Sequence, residues 1–339
     1  MLAKVEASNI LDRPGADRMA ALAPAFGPRF LVTIDTEEEF DWSAPIAREA
    51  NSTSAAPRMA EFQTFCEARG VSPVWLVDWP IANSPEAQAI LRPAAAAGKA
   101  EIGLHLHPWV SPPFDEEVSQ FNSFAGNLPS ELEHEKLTRL HAAIEANLGV
   151  RPRIYRAGRY GAGPATAAIL MELGYAIDTS VRAHFDYSAE RGGPNYRTHP
   201  LAPYWLDGQR RLLELPVTTV FSGVLRQHGP RLLPLAARVP RLPGVLARSG
   251  LLERIPLPPE GIPARDAIRG IDAALAQEVP VLVFSFHSPS LDPGHTPYVR
   301  SEADLARFYD WWDQILAHLA QRNVAPTTVA ETMRAAQLA

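Results

Sequence analysis

One pattern constrains this chain more than any other: short apolar segments alternate with longer stretches of helical periodicity along nearly its whole length. Strands are expected at residues 30–34, 74–77, 101–106, 154–157, 175–178, 212–217 and 281–286. Helices are expected between and after them, at 57–69, 85–97, 130–148, 164–173, 264–277 and 301–321. Several open after Ser or at Pro and close at Gly, as helix-end chemistry favours. Repeated β-α order implies a parallel sheet with helices outside it, either a closed barrel or a doubly wound open sheet. At 339 residues, one barrel with insertions accommodates the chain. The expected organisation is an N-terminal extension over 1–28 and a single catalytic domain over 29–339.

In either architecture, functional groups belong where strands end and loops begin. The polar residues fall there: Asp35, His105 and His107, Arg156, Asp178, Glu214 and His287 each close an expected strand. Side chains at i and i+2 of an extended segment share a face, so Asp35 and Glu37 project together, as do His105 and His107. Carboxylates and neutral imidazoles are good ligands for Zn²⁺ and for Co, Ni or Mn, and three protein ligands leave a position for water. Cys66 is the only cysteine, which excludes an internal disulfide and a cysteine-based metal cluster. Asp35 and Glu37 together with His105 and His107 are therefore the candidate ligands of one divalent ion, and this pattern leaves open which carboxylate binds it.

Other segments surround that set. In Arg156-Ala-Gly-Arg159-Tyr160-Gly, glycine permits close backbone approach and arginine can fix a carboxylate. Asp178 is either a helix N-cap or part of a buried network. His287, after an apolar strand, suits a general acid. Trp42, Trp79 and Trp109 follow strand ends and could stack on sugar rings or be buried structurally. A net charge of −6 argues against a nucleic-acid partner. The stretch 226–259, within an insertion near 222–262, is rich in Pro, Leu and Arg and fits neither period cleanly. It reads as a surface lid or as a basic, apolar element that meets a membrane surface or a partner. Without a signal-peptide core or a membrane-length stretch, a cytoplasmic location is expected.

Taken in order, Thr-Ile-Asp-Thr-Glu, Glu-Ile-Gly-Leu-His-Leu-His, Arg-Ala-Gly-Arg-Tyr-Gly, Gly-Tyr-Ala-Ile-Asp-Thr-Ser, Leu-Glu-Leu-Pro and Phe-Ser-Phe-His resemble the polysaccharide deacetylases. This is the NodB-homology group, or carbohydrate esterase family four, and the likeness is to its WalW-type branch in particular. The resemblance runs from Phe30 onward and implies an irregular or incompletely closed seven-stranded (β/α) barrel. It further implies a metal-dependent hydrolase that removes N-acetyl groups from an amino sugar, with a carbohydrate substrate. Many members open with two adjacent aspartates. Asp35-Thr36-Glu37 looks like a related branch with Asp-x-Glu, which implies Asp35 as base and Glu37 as ligand, the reverse being chemically open. By the same likeness His105 is a ligand, Arg156 orients the catalytic carboxylate and His287 is the acid. The family spaces its ligand histidines four apart, a position held here by Trp109, so His107 rests on strand geometry alone. A backbone N–H near Tyr160 would share the oxyanion. The same site would also permit hydrolysis of a non-sugar amide, and a glycan-binding or envelope-assembly protein without catalysis is the non-enzymatic alternative.

Overall fold

Apolar side chains on both faces of the short segments make strands that must be covered on both sides. In the computed structural model, which describes residues 8–41 and 44–339, eleven strands form. In chain order they are β1 (Arg29–Thr36), β2 (Val74–Val77), β3 (Glu101–Leu106), β4 (Ile154–Ala157), β5 (Ile177–Asp178), β6 (Tyr204–Trp205), β7 (Leu213–Glu214), β8 (Thr219–Ser222), β9 (Glu253–Pro256), β10 (Val281–His287) and β11 (Ala325–Pro326). Nine belong to one sheet, ordered β10-β1-β2-β3-β4-β5-β7-β6, with β11 paired to the start of β1. All pairs from β10 to β7 are parallel and β6 runs antiparallel at the edge. The seven expected strands are β1 to β5, β7 and β10. Two of them run further than expected: β1 continues to Thr36 and β10 to His287. A polar side chain does not end a strand when buried partners satisfy it. In the resulting register Asp35 pairs with His287.

The sheet curls. β1 and β4 lie three steps apart, roughly 14 Å in a flat sheet, yet Arg156 on β4 bonds Asp35 and donates to Thr33 Oγ1 at 2.7 Å. Beyond β7 the chain meets the other edge: Thr218 N–H donates to Val283 O at 3.2 Å, and Val283 N–H donates to Thr218 Oγ1 at 2.8 Å. The expected irregular barrel is thus a half-barrel whose last gap is bridged at Thr218.

Period-two alternation sorts the inward face by height. Leu31, Val74, Leu76, Ile154, Val281 and Val283 form an apolar floor, closed by Val329, Met333 and Ala336 of the helix Val329–Gln337. The interior is narrow: a Cβ on Gly103 would lie 2.4 Å from Leu76 Cδ2 and 2.8 Å from Ile154 O, so only glycine fits. Above the floor the inward residues are Thr33, Asp35, His105 and Arg156. The outward face packs Phe30, Val32, Trp75, Leu104, Tyr155 and Phe284 beneath the helices. Helix Ser130–Leu148 has the expected bounds. Helix Glu302–Gln321 starts one residue late because Ser301 is its N-cap, accepting from Asp304 N–H at 3.2 Å.

The insertion is more regular than its sequence suggests. β8 and β9 pair as an antiparallel hairpin, and the helices Gly229–Ala236 and Leu242–Arg248 lie between them. The prolines that obscure the helical period sit at or near helix starts, apart from Pro234 inside the first helix. The described part of the N-terminal extension packs on the barrel: Ile10 is fully buried in the main core and Ser8 N–H donates to Leu206 O at 2.8 Å.

Candidate metal centre

At the C-terminal end of the parallel strands, Glu37, His105 and His107 converge. One ligand atom from each lies within 4.8 Å of the others, and all three residues are buried. Glu37 Oε2 is 3.5 Å from Nε2 of both histidines. The far side of each ring fixes which nitrogen faces inward. His105 Nδ1 lies 3.0 Å from Arg156 O, a carbonyl that can only accept, so the proton belongs on Nδ1 and Nε2 offers its lone pair. His107 Nδ1 lies 2.9 Å from the Glu38 carboxylate with the same consequence.

Charge fits a cation here. Burial holds the His105 imidazole down at about 3 and the His107 imidazole at about 4, so both are neutral at physiological pH. Burial pushes Glu37 well above the usual carboxylate range, reinforced by Glu38, Asp35, Asp78 and Glu260 around it. Its Oε1 is buried with no hydrogen-bond partner. An acid-rich pocket with two inward imidazole lone pairs and an orphaned carboxylate oxygen suits a divalent ion.

Two further groups flank these three candidate ligands. Burial alone would raise Asp35, but Arg156, His105 and His287 outweigh it and hold the carboxyl below its ordinary value. Arg156, fully buried, also donates from Nε to Thr179 O at 3.1 Å, so its guanidinium is fixed from both sides. His287 is the more open group, its side chain 23% exposed against 4% for Asp35, with Nε2 4.0 Å from Asp35 Oδ2. Its Nδ1 lies 2.7 Å from Glu260 Oε2. Burial would lower this imidazole, but Glu260, with Asp35, raises it above the ordinary histidine value.

The remaining expected residues divide. A Cβ on Gly158 would come within 2.4 Å of His107 Cδ2, so the turn carrying Arg159 and Tyr160 presses directly on His107. Tyr160 is half-buried and stacks on Tyr187. Arg159 points elsewhere, to Ser123, Glu190 and the Phe124 ring. Trp109 is buried; it stacks on His107 with centroids 4.2 Å apart and donates its indole N–H to Glu38 at 2.9 Å. Asp178 is buried behind Arg156, bonded to Ser180 Oγ at 2.7 Å, and its strand neighbour Glu214 is held well above the usual carboxylate range, first by burial and then by Asp178. Asp178 belongs to a buried network and caps no helix. Trp79 is half-buried at a helix start, and Trp42 lies outside the described residues.

Sequence reasoning missed Glu260, which sits in Pro-Pro-Glu-Gly inside the stretch assigned to the insertion. It also missed Asp78, which closes β2 and accepts from Glu38 N–H at 2.8 Å. The strand-end rule that found Asp35 would have found Asp78.

Neither a family model nor a curated protein matches the chain. Solved structures similar to it include a protein of Mycobacterium smegmatis assigned as a polysaccharide deacetylase, at 19% identity, with 94% of this chain and 98% of that one covered and a TM-score of 0.46. The chitin deacetylase of Colletotrichum lindemuthianum is 11% identical, covers 93% and 89%, and gives a TM-score of 0.46. The 4-alpha-glucanotransferase of Thermococcus litoralis is 14% identical, covers 91% and 38%, and also gives 0.46. At these values the reading of the site rests on its own geometry and on the ordered sequence motifs.

Proposed function

We propose that this chain is a metal-dependent hydrolase that removes N-acetyl groups from an amino sugar of a glycan or glycan precursor. The observation that carries the reading is the convergence of Glu37 and two inward Nε2 atoms beside an arginine-held carboxylate, Asp35, and a carboxylate-held imidazole, His287. Glu37, His105 and His107 would hold one divalent ion, with zinc favoured by the two nitrogens, one oxygen and open position. When bound, such an ion polarises a carbonyl and makes nearby water more acidic.

The protein's own groups supply the rest. Asp35, kept ionised by Arg156, takes the proton from the attacking water. His287, whose pKa Glu260 raises, delivers a proton to the departing amine. The backbone N–H of Tyr160 is the candidate donor to the oxyanion. Arg156 acts through Asp35, and Asp178 acts through the network behind Arg156, so both are positioning residues. The choice of an N-acetylated sugar rests on the resemblance of the six ordered motifs.

The test has two arms. Protein purified without chelator should carry one equivalent of divalent metal, and should release acetate from N-acetylglucosamine oligomers faster than from small amides. Metal-loaded protein that releases no acetate from any N-acetylated sugar rules out the deacetylase reading. Protein that retains no divalent metal rules out the hydrolase reading.

A further inference from the structure

The site leaves one part of the molecule unexplained. Between Gly223 and Leu252 the chain carries Arg226, Arg231, Arg238, Arg241 and Arg248 and no Asp or Glu, in a protein of net charge −6. All five arginines are exposed. Glu253, the next acid along the chain, is bonded to Arg269. The same segment concentrates exposed apolar side chains. Among the described residues ten large hydrophobics are exposed, and five of them are Val224 at 76%, Leu235 at 55%, Val239 at 52%, Val245 at 50% and Leu251 at 38%.

Charge and apolar surface share faces. Arg231 and Leu235 are one helical turn apart on the first helix, and Val245 and Arg248 lie three residues apart on the second. Arg238, Val239 and Arg241 project from the link between the helices. The opposite side is anchored: Ala236, Leu252 and Ile255 are buried, and the β8–β9 hairpin packs on the helix Ala264–Leu275. The helices hold eight and seven residues, far short of the ~20 needed to cross a bilayer. A second copy of the chain would bring five arginines against five. A nucleic acid would leave the valines and leucines without apolar cover.

We propose that the element 223–252 docks the protein peripherally on an anionic lipid bilayer, with the arginines at lipid phosphates and Leu235, Val239 and Val245 at the headgroup–acyl boundary. Charge complementarity selects this occupant: like-signed arginines interleaved with short apolar side chains match a negatively charged surface over an apolar interior.

Flotation of the full chain with vesicles of equimolar phosphatidylglycerol and phosphatidylcholine, and with phosphatidylcholine alone, tests the proposal. The protein should float with the anionic vesicles, remain behind with the neutral ones, and be released by salt. Arg231→Gln/Arg238→Gln/Arg241→Gln should lower partitioning by roughly tenfold or more, each arginine near an anionic surface being worth about fivefold. Val239→Ser/Val245→Ser should weaken it separately, with circular dichroism and melting unchanged in both variants. Failure of the unsubstituted protein to float with anionic vesicles overturns the proposal. So does equal flotation with neutral vesicles, undiminished flotation of the arginine variant, or capture of an acidic protein without any vesicle binding.

Discussion

Single side chains set the chemistry of this site through the atoms they turn away from it as much as through those they present. Glu38, fully buried, holds the His107 ring by Nδ1 and Trp109 by its indole N–H. Glu38→Gln should therefore lower metal affinity about 10- to 100-fold, as loss of such ligand-orienting groups does, while His105→Ala abolishes stoichiometric metal; titration with a chromophoric chelator separates the two. Glu260 makes the matching prediction on the acid side. His287 must be protonated to donate, and its pKa lies above the ordinary value because Glu260 outweighs burial. Activity should thus be present below that raised pKa and be lost as pH climbs through it. Glu260→Gln should shift the falling limb of kcat/KM to lower pH, and an unmoved limb would remove His287 from the acid role. The two residues were unequally legible. Glu38 stands next to Glu37 in an acidic run, whereas Glu260 lies 27 residues before His287 in a proline-rich loop, where no spacing rule joins them.

Elements place these side chains, and a buried lysine fixes the loop behind His107. Lys136, on the helix Ser130–Leu148, donates to Pro108 O at 3.0 Å and Ser111 O at 2.6 Å and pairs with Glu116 at 2.9 Å. Lys136→Met would leave those carbonyls without their donor and Glu116 with Arg48 as its remaining cation, a loss on the order of 3 kcal/mol. Denaturant unfolding should show it as a lowered midpoint, and a change below 1 kcal/mol would mean the loop is held by other contacts. The sequence signals this element well, because β-branched and aromatic runs bounded by glycine mark the parallel strands and amphipathic periods mark long helices. It signals β6 and β11 poorly. Each has only two residues, formed by pairing with β7 and with the start of β1, and local propensity carries no record of that. The insertion helices fail for the opposite reason, since leucines on several sides blur a period that the barrel flank would otherwise impose.

At the scale of the whole molecule, the half-barrel holds a cluster of acids that its own cations do not balance. The last gap of that half-barrel is bridged by the two hydrogen bonds between Thr218 and Val283. Thr218→Val would leave the buried Val283 N–H without its acceptor, at about 1–3 kcal/mol, while Thr218→Ser should restore it, both readable as melting temperature. The cluster itself makes the last prediction. Glu37, Glu38 and Asp78 are all raised by burial as the leading cause, so the metal-free fold holds carboxyl groups that resist ionisation. A cation binding only the folded state should add about 2.7 kcal/mol at a hundred times its dissociation constant, raising the melting temperature, and chelator should reverse the rise. Glu37→Gln separates this from a generic salt effect because its two consequences have opposite signs. Removing one carboxylate from the cluster should raise the melting temperature of the metal-free protein, and removing a ligand should erase the response to metal. A variant that melts lower without metal, or still responds fully to zinc, would show that Glu37 is held by contacts other than those seen at the mouth of this barrel.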